Sequence, residues 1–186
     1  MEALRTGDDA AFRRVVEAYQ ERVLNTCLGL VPNLHDAEDL TQEVFIELWR
    51  SASSFRGDAR LSTWLYRVAV NKSLELLRSR QRKKRFAFFR SMVGLEDESA
   101  QHIRDEFNHP GVLLEQRERA QVLFAAMEKL PENQKTALVL QKTEGLSHAE
   151  IAEVLGVSVA SVESLLHRAK KNLYSHLLKF YQTDSL

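Results

Sequence analysis

The sequence predicts an all-α protein made of two small helical domains joined by a flexible linker. Three observations carry this. Apolar residues recur at steps of three and four along most of the chain. Capping residues stand where those stripes begin. Between 86 and 108 the period is lost, and an acidic Glu96-Asp97-Glu98 cluster appears. At 186 residues there is room for one ordinary domain or two small ones.

The first helix is expected to begin at Asp8 or Asp9 as N-cap. Its stripe is Phe12, Val15, Val16, Tyr19, Val23, Cys27 and Leu30. Cys27 lies on that stripe and reads as a small core hydrophobe. Pro32-Asn33 breaks the helix. A second helix is expected over about Asp36–Arg50, with Ala37, Leu40, Val44, Phe45 and Leu48 facing inward. Asp36, Glu38 and Asp39 fall in its first turn, where the helix dipole favours negative charge. Ser51–Arg60 reads as a polar loop holding Gly57. A third helix starts near Ser62 or Thr63 and runs through Trp64, Leu65, Val68, Ala69, Leu76 and Leu77 into a basic block. Three such helices can close a bundle. The expected division is 1–85 for the first domain, 86–109 for the linker and 110–186 for the second domain. In the second domain Pro110 opens a helix reaching Leu130, and Pro131 opens another that ends at Gly145.

Composition narrows the class further. Hydrophobic residues make up 44% and charged residues 28%, as in globular proteins. A single Cys excludes an intramolecular disulfide framework or a Cys-rich zinc site. No apolar run approaches the ~20 residues of a membrane span, and Met1–Ala10 is too polar for a secretory signal, so a cytoplasmic protein is expected. No Ser/His/Asp set, metal-ligand cluster or phosphate-binding Gly loop is evident. No catalysis, metal, cofactor or small-molecule substrate is therefore expected.

Net charge is zero, from 26 basic and 26 acidic residues, but the signs are segregated. Residues 1–50 carry 5 basic and 10 acidic groups. Residues 72–90 carry 8 basic groups and only one acidic, Glu75. Residues 91–118 return to 2 basic and 7 acidic. Blocks of this kind suit different partners on different surfaces, though each is also compatible with a plain solvated face.

The richest motif begins at Ser147-His148-Ala149-Glu150, a capping box. A short helix follows, Gly156 ends it, and Ser158 caps the next. Ala152, Gly156 and Val162 have helix-turn-helix spacing: a small residue where helices cross, a glycine for positive φ, a core residue beyond. The second helix, about 159–180, is the candidate for a DNA major groove. Ala160, Ser161 and Ser164 are the expected base-proximal positions and Arg168, Lys170 and Lys171 the expected phosphate contacts, with Ser158 and His167 completing the expected DNA-binding set.

Three further segments extend the pattern. They are Asp36-Ala-Glu-Asp-Leu-Thr-Gln-Glu-Val-Phe45, Phe55-Arg-Gly-Asp58 and Ser62-Thr-Trp-Leu-Tyr-Arg-Val-Ala-Val-Asn71. Together they resemble region 2 of sigma-70 family factors, of the extracytoplasmic-function subgroup. Leu130-Pro131 and Gly145 through Lys171 are similar to region 4 of the same family. The resemblance spans nearly the whole chain except the linker. It implies a bacterial transcription initiation factor that binds core RNA polymerase, recognises −35 and −10 promoter elements and promotes melting.

By the same resemblance, Asp39, Gln42, Glu43, Glu47 and Trp49 would bind the clamp helices of the polymerase's largest subunit. The acidity of residues 1–50 suits a basic partner. The flap of the second-largest subunit is a further implied contact. Phe55, Arg56, Asp58, Trp64 and Asn71 would capture unpaired −10 bases, with Arg78 and Arg80 against phosphates. Trp64 is also compatible with a core position. The acidic linker would thread the polymerase channel, and an anti-sigma factor is an implied regulator. The recognition helix departs from the family, placing Glu163 and Leu165 where many members are basic. A self-standing helix-turn-helix regulator with a helical sensor domain is the competing reading. It leaves the 36–71 constellation unexplained.

Overall fold

A computed structural model describes residues 2–54, 60–92 and 114–183, and every regular element in them is helical. The helices are α1 (Glu2–Arg5), α2 (Asp9–Leu30), α3 (Leu34–Ser51), α4 (Leu61–Met92), α5 (Leu114–Glu128), α6 (Glu132–Thr143), α7 (His148–Leu155) and α8 (Val159–Thr183). A single 3-10 turn, Ala52–Ser54, follows α3. Among the described residues no helix is long and apolar enough to cross a membrane.

The helix boundaries follow from caps. Asp8 accepts from the backbone N–H of Ala10 and Ala11, which starts α2. Asn33 accepts from the Asp36 N–H, so α3 begins at Leu34, two residues before the expected start. At α7 both bonds of the capping box are present between Ser147 and Glu150. The Ser147 backbone N–H and hydroxyl hold the Glu150 carboxylate below its usual range. Gly156 ends α7 at φ 67°, and Ser158 accepts from the Ser161 N–H to start α8.

Helices α2, α3 and α4 form the expected bundle. Val23, Cys27, Leu40, Val44, Leu48 and Leu65 interlock in its core. Each fully buried aliphatic side chain of this size contributes about 1.5–3 kcal/mol. Cys27 is among them, and burial pushes its thiol up to about 11. Helix α1 was not foreseen from the sequence. Its Leu4 tucks against Ala11 and Ala52. The helix expected to fade at residue 85 instead continues: α4 runs to Met92. Lys, Arg and Gln are good helix formers, so the stripe can lapse while the helix persists. The rest of the expected linker to residue 109, and the expected start at Pro110, lie outside the described residues apart from α4's end.

The two halves do not stand apart. One core cluster joins Leu30 of α2 and Tyr66, Val70 and Leu74 of α4 to Val139, Leu140 and Ile151 of the second half. Helix α2 crosses α6 so closely that a Cβ on Gly29 would lie 2.6 Å from Val139 Cγ1. Only a glycine permits that approach. The Lys135 Nζ of α6 is buried and donates to the Leu30 carbonyl at 2.7 Å, satisfying a carbonyl at the end of α2. Burial lowers the pKa of this lysine.

Candidate polymerase and promoter interfaces

Helix α3 buries one face and presents the other. Asp39, Gln42, Glu43 and Trp49 are exposed on it, and Glu47 is half-buried. Glu43 pairs with Lys72 of α4 at 3.1 Å, and Asp39 lies 4.0 Å from His35. Trp49 remains 42% exposed while meeting Phe12 of α2 edge-on, at 4.9 Å between ring centres. Beside them a groove of about 650 Å³ runs between α2 and α3, lined by Phe12, Val16, Gln42, Phe45, Ile46 and Trp49. The structure therefore gathers four of the five expected polymerase contacts as exposed groups on one helix. The apolar groove beside them was missed by sequence reasoning. Ile46 is exposed although apolar, and its place off the α3 stripe was the available signal.

The −10 residues fare unevenly. Phe55, Arg56 and Asp58 lie outside the described residues. Asn71 is exposed on α4. Trp64, seven residues earlier, is only half-exposed and packs against the first-half core. Tyr66 is fully buried between the halves, with its hydroxyl donating to Glu144 at 3.1 Å. Arg78 and Arg80 were expected against phosphates. In this structure Arg78 instead pairs with Glu132 at 2.6 Å, and Arg80 with Asp36 at 2.6 Å. Carboxylate and phosphate are both anions that suit a guanidinium. Lys83, Lys84 and Arg85 extend the basic surface and are exposed.

The second half has the expected helix-turn-helix geometry. Ser158, Ala160, Ser161, Ser164, His167, Arg168 and Lys171 are all exposed along the first part of α8. Val162, Leu166 and Ala169 face inward, which fixes the outward set. Ala152 is buried where α7 meets α8, and the Val157 N–H closes the turn on the Ala152 carbonyl at 3.1 Å. Glu163 is exposed and lies 3.8 Å from His148, away from the core. Leu165 is half-buried against the shared core, so a basic residue there would lose packing. A second apolar groove of about 520 Å³ lies between α5, α6 and α8, lined by Leu123, Phe124, Met127, Leu138, Leu173 and Tyr174 among others.

Comparison with known proteins places this arrangement. The family model for Sigma-70 region 2 matches residues 15–83, and that for Sigma-70, region 4 matches residues 120–173. The chain is 34% identical over 171 residues to the ECF RNA polymerase sigma-E factor of Escherichia coli K12, covering 92% of this chain and 88% of that one. It is 33% identical to the corresponding Haemophilus influenzae protein, covering 92% and 89%. Among solved structures it resembles CnrH in complex with the cytosolic domain of CnrY, at TM-score 0.69 and 22% identity, covering 95% and 93%. It also resembles the sigma factor RpoE of Bartonella quintana, solved with the anti-sigma factor NepR, at TM-score 0.64 and 22% identity, covering 91% and 97%.

The family models and the relatives together identify the class, a transcription initiation factor. The chain belongs to the sigma-70 family of RNA polymerase sigma factors, in its extracytoplasmic-function group. RNA polymerase and promoter DNA are therefore its partners.

Proposed function

We propose that the chain divides initiation between its halves, 1–85 and 110–186, with 86–109 joining them. The α3 face of Asp39, Gln42, Glu43, Glu47 and Trp49 docks on the clamp helices of the polymerase's largest subunit. Helix α4 and the segment before it, with Phe55, Arg56, Asp58, Trp64 and Asn71, capture −10 bases as they leave the duplex. Arg78 and Arg80 exchange their carboxylates for backbone phosphates. The outward set of α8, led by Ser158, Ala160, Ser161, Ser164, His167, Arg168 and Lys171, enters the −35 major groove. The apolar groove between α5, α6 and α8 receives the polymerase flap. The protein acts as a factor without catalysis of its own. An anti-sigma factor restrains it, in keeping with the Bartonella neighbour, which was solved with one.

The observation that carries the polymerase contact is the pairing of an acidic helix face with an adjoining apolar groove. Acidic groups steer a basic partner and the groove supplies desolvated contact. Asp39→Lys with Glu43→Lys is expected to weaken core binding by roughly 2–5 kcal/mol. Fluorescence titration with core polymerase measures it, beside a melting curve, because Glu43 also holds Lys72. Undiminished affinity in a folded variant would remove this face from the interface.

A further inference from the structure

The recognition helix carries its charge unevenly. From Ser158 to His167 the chain has no Lys or Arg, and Glu163 is its one acidic group. The basic residues Arg168, Lys170 and Lys171 come only after it. Val162 and Leu166 are buried, which fixes the rotation of α8 and leaves the Glu163 side chain 63% exposed. Glu163 stands one turn from Ala160 on one side and from His167 on the other, both exposed. Ala160, Ser161 and Ser164 around it are short, so its carboxylate reaches beyond them.

A second residue stands against that carboxylate. His148, the first residue of α7, brings Nδ1 to 3.8 Å from Glu163 Oε1. The other ring nitrogen, Nε2, lies 3.2 Å from the Gln141 amide nitrogen of α6. With that amide donating, Nε2 accepts and the neutral ring carries its proton on Nδ1, the nitrogen nearer Glu163. The capping box of Ser147 and Glu150 holds the turn on which His148 sits. Helices α6 and α7 thus present a donor to the one acid in the first turns of α8.

A carboxylate in a major groove has few places to rest. It accepts hydrogen bonds and donates none. Phosphates repel it. Guanine offers N7 and O6, and thymine O4, all acceptors. Adenine has an amine, but its N7 acceptor stands beside it. Cytosine alone shows an amine with no acceptor of its own. We propose that Glu163 is a specificity-determining residue of the −35 interface, selecting a cytosine by accepting from its N4 amine, and that His148 is a positioning residue that aims the carboxylate. The proposal rests on the major-groove role of α8 argued above.

The test uses the full-length chain with core polymerase. A promoter recovered by run-off transcription from genomic fragments is the template, and each base pair of its −35 element is replaced in turn. Transcript yield at subsaturating holoenzyme is read for every template. The unmodified chain is expected to prefer cytosine about tenfold at one position. Glu163→Ala is expected to abolish that preference and leave the other positions as they were. Glu163→Arg is expected to move it to guanine, whose O6 and N7 suit a guanidinium. His148→Ala is expected to cut the cytosine preference by about threefold at unchanged melting temperature, and His148→Gln, which keeps a donor, to restore it. A cytosine preference that survives Glu163→Ala, or none beside intact discrimination elsewhere in the element, overturns the assignment of Glu163. Full preference in His148→Ala overturns the positioning role. No discrimination at any −35 position by the unmodified holoenzyme counts against the α8 reading itself, and the assignment falls with it.

Discussion

Gly156 sets the helix-turn-helix through one backbone angle. Its φ of 67° lies in the left-handed region, and no atom stands within 4 Å of where a Cβ would be. Gly156→Ala therefore tests conformation without a clash. It is expected to destabilise the fold by about 1–2 kcal/mol, the cost of a left-handed alanine, read as a lowered melting temperature by circular dichroism. This residue was legible in the sequence because capping chemistry is local: Ser147, Glu150, Gly156 and Ser158 announce themselves within twelve positions. Arg78 was not legible. Its partner Glu132 is 54 residues away, and no local pattern links a basic block to a distant acid.

Among the helices, α4 has two jobs on one rod. Its Leu65 and Ala69 serve the first-half core, and its Tyr66, Val70 and Leu74 serve the contact with the second half. A helix with two buried faces shows a weak amphipathic signal. Its continuation to Met92 escaped the sequence reading for another reason: beyond Leu77 the helix runs exposed through Gln81, Arg82, Lys83, Lys84 and Arg85, with no buried face to mark a period. Helix α8 has one buried face and was easily read, down to the outward set that includes Arg168. The two helices make separable predictions. Asn71→Ala is expected to reduce open-complex formation by roughly 1–3 kcal/mol if the amide reads a base in two-pronged fashion, measured by permanganate footprinting. Arg168→Ala is expected to weaken duplex binding whatever the sequence and to lower the salt dependence, measured by titration of the holoenzyme at several salt concentrations. Normal melting by Asn71→Ala at saturating holoenzyme would make that residue structural.

At the scale of the whole molecule, apolar burial outweighs the ion pairs. Arg78–Glu132 and Arg60–Glu150 are largely exposed pairs, and solvent screens them. The joined core of Leu30, Tyr66, Val139, Leu140 and Ile151 contributes more, because each large side chain it covers is worth more than such a pair. The all-helical class and the two-part plan were readable from periodicity and caps. The association of the parts was not, since buried faces on α4 and α6 look the same whether they cover a neighbour in sequence or one across the molecule.

Tyr66 turns that association into an optical signal. Burial and the nearby Glu144 raise its phenol above the ordinary tyrosine range, while the Arg22 guanidinium stands 5.6 Å from its ring. The chain has four tyrosines, and Tyr174 is exposed. Alkaline titration followed by phenolate absorbance should therefore show a late-ionising component in the native chain. In Gly29→Val, whose side chain cannot fit against Val139, the phenol returns to water and that component should move to the ordinary range near pH 10. A single absorbance trace would then report the halves separating, with no label attached to the protein.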